Sequence, residues 1–252
     1  MFVATSENQS REYNKMASII HRIKELIAGP FRKSNGVNRN IIIDYLKCLK
    51  GVFLEIGPGC APLLEAVQHI DNDKKIIIDL PEMVGYCESL GYKCLAQDAS
   101  IEKWRLDDES VDVVISNQCL EHIPNTDDFI LECRRVLKEG GILVLSVPNQ
   151  GALAFIFLML LTINPPMNFV SDKFYSLGNP LSNMRMKKRN VPGHSHLRLF
   201  TTRAMNDLLK AYGFTILKNH GGSWGTWGGK YLASIFPYYG LYTTVMAKKI
   251  NR

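Results

Sequence analysis

Short apolar runs alternate with helix-length amphipathic stretches through the middle of the chain, from about residue 50 to residue 150. Apolar runs of this length, bounded by glycine, acidic or polar residues, are typical of buried strands. They lie at 52–56, 75–79, 93–96, 111–115 and 142–147. Strands that alternate with helices predict a parallel sheet covered by helices on both faces. We therefore expect an α/β fold whose ligand lies at the carboxyl ends of the strands.

The N-terminal fifty residues carry a helical pattern. Apolar residues recur every three or four positions over 11–28, and Gly29 and Pro30 end the pattern. A shorter helix is predicted over 41–49, leading into the first strand. The longer helix can either pack on the edge of the sheet or cover a bound ligand as a lid, and the sequence leaves both interpretations open.

The C-terminal part of the chain predicts one more helix and two more strands. Thr201 or Thr202 can cap the helix, and Gly213 ends it. Strands are predicted over 214–218 and 242–248. The apolar face of the helix is formed by Met205, Leu208, Leu209 and Tyr212.

The segment between these regions is different, because residues 152–163 are almost wholly apolar. The run is too short to span a bilayer as a helix, which takes about twenty residues. It is interpreted as a buried helix of an inserted cap, with a lipid-lined substrate pocket or a membrane-interface segment as the alternatives. The basic residues within 185–189 are either a solvated loop or a site of attraction for phosphate, on a substrate or on a membrane surface.

Candidate chemistry begins where the first strand ends, in the pattern E-x-G-x-G-x-A formed by Glu55, Gly57, Gly59 and Ala61. Glycines at such a turn let the backbone approach a ligand where a Cβ would clash, and a helix is expected to follow. Pro62 stands where a dinucleotide-binding fingerprint would have its last small residue, so that type of site is not favoured.

The later strands also end in polar residues. Asp79 ends the second strand about twenty residues beyond the glycines, a spacing at which a carboxylate can bind ribose hydroxyls. Asp98 follows the third strand and Asn117 the fourth. Because these strands are expected to be parallel, their ends lie at one edge of the sheet. Leu80 and Ala99, next to the two acids, complete the candidate cofactor residues.

These motifs, in this order, resemble the class I S-adenosylmethionine-dependent methyltransferases. The region that follows the glycine loop is also similar to that family. It contains, in order, D-V-V-I-S-N, L-E-H-I and R-R-V-L-K-E-G-G-I-L-V-L-S-V-P-N. The resemblance implies a Rossmann-like sheet of seven strands, the last inserted antiparallel, with S-adenosylmethionine bound and S-adenosylhomocysteine released. It implies that the glycine loop passes under the methionine part of the cofactor and that Asp98 meets the adenine amino group.

The same resemblance suggests a division of the chain into four segments. Residues 1–50 would be N-terminal helices and a candidate lid, and residues 51–150 the cofactor-binding core. Residues 151–200 would form the inserted cap, facing substrate or membrane, and residues 201–252 would complete the core.

Methyl transfer from a sulfonium is an in-line displacement in which the protein positions the acceptor and, for a hydroxyl, removes its proton.

Histidine suits the role of that base near neutral pH. The candidate catalytic residues are His122, His194 and His196, each of which can equally be structural, and Arg198 is a candidate for binding an anionic group of the substrate. The six cysteines form no C-x-x-C pair, so no metal site is predicted. Free cysteines and a polar N-terminus without a signal-peptide pattern suggest the cytoplasm, with peripheral contact at the inner face of the membrane as an option.

The net charge of +6 fits an anionic substrate or membrane surface, but the basic residues do not form the broad face of a nucleic-acid enzyme. The leading hypothesis is a methyltransferase for a small or lipid- or sugar-linked acceptor. The alternatives are a quinone or polyketide-like small-molecule methyltransferase and a non-catalytic S-adenosylmethionine-binding module.

Overall fold

A computed structural model describes residues 36–101, 103–188, 196–222 and 235–251. Within them one sheet of seven strands forms the centre of the molecule, in the order β3-β2-β1-β4-β5-β7-β6. The strands are β1 (Phe53–Ile56), β2 (Lys75–Asp79), β3 (Lys93–Ala96), β4 (Val111–Asn117), β5 (Leu137–Pro148), β6 (Phe214–Gly221) and β7 (Tyr242–Lys249). The first five strands pair in parallel, and β7 runs antiparallel between β5 and β6. The predicted sheet, including its inserted last strand, is confirmed.

Helices cover both faces of this sheet, as predicted. They are α1 (36–46), α2 (Val84–Ser89), α3 (Thr126–Val136), α4 (Leu153–Leu160) and α5 (Thr202–Ala211). Apolar residues of α3 and α5 pack into one core cluster, and those of α1 and α2 pack into a second. The buried strands β1, β2 and β4 contribute side chains to both clusters, since successive side chains of a strand point to opposite faces.

Local sequence explains where α5 begins and ends. The hydroxyl of Thr201 accepts a hydrogen bond from the backbone N–H of Ala204 at 3.3 Å, so Thr201 is the cap. Met205 and Leu209 are buried on the predicted apolar face. Gly213 ends the element with a φ of +77°, a backbone conformation that favours glycine.

Two predicted elements near the first strand differ from the structure. The helix expected after the glycine loop is only a 3-10 turn, Leu63–Ala66, and the N–H groups of its first two residues donate to the Glu55 carboxylate. Within the described residues, the helix predicted over 41–49 covers 36–46, so it ends three residues earlier than predicted. The helix predicted over 11–28, and with it most of the candidate lid, lies outside the described residues.

The apolar run 152–163 forms α4, but the prediction that this helix is buried was wrong. Only Phe155 and Leu158 of the helix are buried, in a small cluster shared with Leu241 and Tyr242. Phe157 is 61% exposed and Leu160 is 77% exposed. A helix of eight residues that packs on one side only must leave the rest of a uniformly apolar surface open. Among the described residues, no helix is long and apolar enough to cross a membrane.

Candidate functional site

The glycine loop and the acid at the end of β2 are joined by hydrogen bonds at the carboxyl edge of the sheet. The N–H of Gly59 donates to Oδ2 of Asp79 at 2.7 Å, and the N–H of Leu80 donates to Oδ1 of the same carboxylate at 2.8 Å. Gly57 donates its N–H to the carbonyl of Ile78 at 2.8 Å. Burial raises the pKa of Asp79. The predicted proximity of the loop and this acid is therefore present in the fold.

Glu55 braces the loop from inside. It is 2% exposed, and its two carboxylate oxygens accept hydrogen bonds from the N–H groups of Leu63 and Leu64 at 2.9 and 3.1 Å. Burial raises its pKa to about 7. On the outer side of the loop, Arg39 of α1 donates to the carbonyl of Ala61 at 2.8 Å. Glu55 thus fixes the shape of the loop, and Ala61 is held by a residue that sequence reasoning did not single out.

The backbone of the loop has little space around it. Both glycines are in the left-handed region, with φ values of +64° at Gly57 and +56° at Gly59. A Cβ on Gly57 would lie 2.6 Å from Sγ of Cys119, whereas a Cβ on Gly59 would lie 3.3 Å from the flexible end of Met83. The loop after β1 is therefore in direct contact with the loop after β4, and the glycines leave room that side chains would fill.

The third predicted acid lies in a turn of its own. Oδ1 of Asp98 accepts hydrogen bonds from the N–H and the hydroxyl of Ser100 at 2.8 and 2.6 Å. The next residue, Ala99, accepts a hydrogen bond at its carbonyl from the indole N–H of Trp104 at 3.2 Å, and Trp104 is buried against Phe129. The turn after β3 is thus fixed by the core, with Asp98 partly exposed at the sheet edge.

A buried polar network ties α1 to the strand ends, and sequence reasoning missed it. Asn38, fully buried, donates to the hydroxyl of Ser146 at 2.7 Å and accepts from the hydroxyl of Thr244 at 2.7 Å. Its amide also lies 3.4 Å from Oδ1 of Asn117, the predicted residue at the end of β4. The next residue, Gln118, has a φ of +57° and is held by a backbone bond to Ser146 at 2.8 Å. No local pattern marks Asn38, because all its partners are distant in sequence.

Two of the three candidate catalytic histidines come together. The rings of His122 and His196 are 5.0 Å apart between centroids, and ligand atoms of both lie within 4.8 Å of each other and of the Glu121 carboxylate. His194 lies outside the described residues. Arg198 donates to the carbonyl of Pro124 at 2.6 Å, so this candidate for substrate binding also braces the loop after β4.

Glu121 is the most distinctive member of this group, although sequence reasoning had named only its neighbour His122. It is 1% exposed, and burial raises its pKa to about 8. Among the described residues its Oε2 has no hydrogen-bond partner. Its backbone carbonyl accepts hydrogen bonds from the N–H groups of Leu197 and Arg198 at 2.8 and 3.1 Å. These bonds hold the segment that carries His196 against the loop after β4.

The surface of the cap combines apolar and basic residues. Leu153, Phe157 and Leu160 of α4 are exposed. The loop that follows packs against α4 through Leu181, and residues 185–188 of that loop, including three basic side chains, are exposed. Apolar and basic side chains are therefore both exposed on the cap.

Comparisons with known proteins agree with this geometry. A family described as a methyltransferase domain matches residues 54–145, which contain the glycine loop, Asp79, Asp98, Asn117 and Glu121. The chain is 36% identical over 108 residues to a probable S-adenosylmethionine-dependent methyltransferase of Mycobacterium tuberculosis, covering 41% of this chain and 38% of that one. It is 35% identical over 128 residues to a ubiquinone biosynthesis O-methyltransferase of Glaesserella parasuis, covering 51% of this chain and 53% of that one. These matches span about half of the relatives' length or less.

Solved structures extend the agreement in fold over most of the described chain. A protein of Methanosarcina mazei described as a S-adenosylmethionine-dependent methyltransferase superposes with a TM-score of 0.56 at 17% identity, covering 84% of this chain and 98% of that one. At this identity the similarity is one of fold. The fold class expected from the sequence, and the resemblance on which it rested, are confirmed.

Proposed function

We propose that this chain, in which residues 54–145 match a methyltransferase domain, moves a methyl group from S-adenosylmethionine to a small or lipid-linked acceptor. The observation that carries the proposal is the hydrogen bond between Gly59 and Asp79, which places a carboxylate beside the glycine loop at the carboxyl edge of the sheet. When bound, S-adenosylmethionine supplies an activated methyl group on a sulfonium. The residues of the chain bind and orient the reactants.

The cofactor residues divide into two kinds. Asp79 is assigned to the ribose hydroxyls, since each of its oxygens accepts one N–H bond from the described residues and a carboxylate oxygen has a further lone pair. Asp98 is assigned to the adenine amino group, and Leu80 and Ala99 to contacts with the nucleoside. Gly57 and Gly59 leave space for the ligand, whereas Glu55, Ala61 and Asn117 act through the shape of the loops that carry them.

A calorimetric titration tests the cofactor site. Wild-type protein is titrated with S-adenosylmethionine and with S-adenosylhomocysteine, and Asp79→Asn is compared with Asp73→Asn, an exposed acid that loses the same charge. We expect Asp79→Asn to weaken both ligands by about tenfold or more, because a hydrogen bond to a charged group contributes roughly 1.5–3 kcal/mol. Asp73→Asn should leave both affinities unchanged. If folded wild-type protein that is freed of cofactor binds neither ligand, the proposal is contradicted. That result would favour a protein that keeps the fold but has lost the cofactor site.

The acceptor is proposed to be lipid-linked and to be reached at an anionic membrane surface. Support comes from the exposed apolar residues of α4 and the exposed basic residues within 185–188, which belong to one cap. Apolar side chains can enter the headgroup region of the membrane. Basic side chains attract anionic lipid, and each Lys or Arg near the surface contributes about 1 kcal/mol to binding. The base that removes a proton from such an acceptor is proposed to be His122 or His196.

Vesicle flotation separates this proposal from one with a water-soluble acceptor. We expect wild-type protein to float with vesicles containing phosphatidylglycerol and to stay in the soluble fraction with pure phosphatidylcholine. Phe157→Glu and the pair Lys187→Glu plus Lys188→Glu should each reduce flotation. Leu131→Glu, which places the same charge on an exposed leucine of α3, is the matched control and should float like wild type. Flotation that none of the cap variants changes would rule out this surface.

A second candidate is methylation of a quinone-like or polyketide-like small molecule. It is favoured by the partial similarity to the Glaesserella parasuis protein, whose name describes O-methylation in ubiquinone biosynthesis. In that case the apolar residues of the cap would line the acceptor site. Methylation of a soluble catechol by protein that does not float with vesicles would favour this candidate over the lipid-linked acceptor.

A further inference from the structure

The group formed by Glu121, His122 and His196 has the composition of a metal site. One carboxylate and two imidazoles meet, and their ligand atoms all lie within 4.8 Å of one another. Bonds of about 2.0–2.2 Å to a metal place ligand atoms roughly 3–4 Å apart. Side-chain rotations that move each ligand atom by about 1 Å or less would therefore bring all three within bonding distance of one ion. We infer that these three residues bind a divalent first-row transition metal.

The buried carboxylate is an independent observation that points to a ligand. Glu121 is 1% exposed, and within the described residues its Oε2 accepts no hydrogen bond. A buried carboxylate oxygen without a donor is costly, and buried charges in proteins are paired or coordinate metals. A bound cation would provide a direct partner for this oxygen.

The backbone holds the two parts of the site in register. Glu121 and His122 lie in the 3-10 turn Leu120–His122, directly after β4, while His196 comes from the chain that leads to α5. Two hydrogen bonds to the Glu121 carbonyl, from Leu197 and Arg198, join these segments next to the ligands. The ring of His196 also packs edge-on against Phe169 at 5.0 Å between centroids, which restricts its orientation.

The donor set indicates both the class of metal and its use. Imidazole nitrogen favours zinc, iron, nickel or copper over magnesium and calcium, and the carboxylate adds a hard oxygen ligand. Three protein ligands leave at least one coordination position open. An acceptor hydroxyl bound there would have a lowered pKa and could release its proton to water before methyl transfer. This role, though not the site itself, rests on the proposed function, and it would replace proton removal by His122 or His196, because a metal-bound imidazole has no free basic nitrogen.

Cobalt is a suitable probe because its visible absorption reports coordination without any turnover. Chelator-treated full-length protein is titrated with Co²⁺, and then with Zn²⁺ as competitor. We expect one Co²⁺ per chain, displaced by Zn²⁺, with the affinity lowered by at least about tenfold in Glu121→Gln and in His196→Ala. His69→Ala is the matched control, since His69 is an exposed histidine bonded to the carbonyl of Leu49 and should bind Co²⁺ as wild type does.

Circular dichroism and S-adenosylmethionine titration of each variant report whether it is folded. If Glu121→Gln does not fold, His196→Ala still decides, because His196 is only partly buried. Absence of stoichiometric Co²⁺ binding, or binding equally tight in His196→Ala, would overturn the metal site. Metal binding without cofactor binding would uphold the site and contradict the proposed function, and the reverse result would leave the function and remove the site.

Discussion

Replacing Gly57 by alanine tests the contact between the glycine loop and the loop after β4. Alanine at a φ of +64° costs about 1–2 kcal/mol in backbone conformation. The new Cβ would lie 2.6 Å from Sγ of Cys119, an overlap that adds about 1–3 kcal/mol because one of the two loops must move. We therefore expect Gly57→Ala to lower the free energy of unfolding by about 2–5 kcal/mol and to weaken S-adenosylmethionine binding.

Gly59→Ala is the matched comparison, because its φ of +56° is similar but its nearest neighbour is the flexible end of Met83 at 3.3 Å. Only the conformational part should remain, about 1–2 kcal/mol. Urea unfolding of both variants measures the difference. A double-mutant cycle with Cys119→Ala, which removes the clashing sulfur, should recover at least about 1 kcal/mol for Gly57→Ala. Equal losses in the two glycine variants, or additive effects in the cycle, would refute the contact.

The remaining predictions concern charge, polar burial and the orientation of α4. Because burial raises the pKa of Glu55 to about 7, the folded chain binds this proton more tightly than the unfolded chain, and the unfolding free energy should fall as pH rises from about 4.5 to 7; Glu55→Gln should flatten this slope in urea titrations at several pH values. Asn38→Ala should lower the unfolding free energy by about 1–3 kcal/mol, since it removes two hydrogen bonds to buried hydroxyls, and a loss under 1 kcal/mol would contradict the network. Phe155→Ala should lower the unfolding free energy by about 3–5 kcal/mol and Phe157→Ala by no more than about 0.5 kcal/mol. Similar losses for the two variants in thermal melts would contradict the orientation of α4.

The sheet could be predicted because its signals are local. Each strand of the first five is a short apolar run with a polar end, and Thr201 followed by an apolar stripe is sufficient to place α5. Asp79 and Gly59 could be brought together because parallel strands end at one edge. The roles of the cofactor residues stay predictions, to be decided by the titrations.

The errors arose where tertiary contacts decide the outcome. The glycine loop pattern predicted a helix, but the chain after Pro62 forms a single 3-10 turn, and a local pattern that marks a helix start does not determine how far the helix continues. The run 152–163 is apolar at nearly every position, so it contains no information about which face is buried. Glu121 and His196 are far apart in sequence, so no local pattern predicts that they lie together.

The position of β7 has a consequence for synthesis of the chain. β5 pairs with β4 on one side and with β7 on the other, yet about 90 residues separate the end of β5 from the start of β7. At about 5–20 residues per second, a ribosome takes roughly 5–20 s to produce that stretch. During this time the nascent β5 presents an apolar edge with unpaired backbone groups, which is a template for aggregation. Slow translation or a shortage of chaperones should therefore reduce the yield of soluble protein, and this loss should not depend on the residues of the functional site.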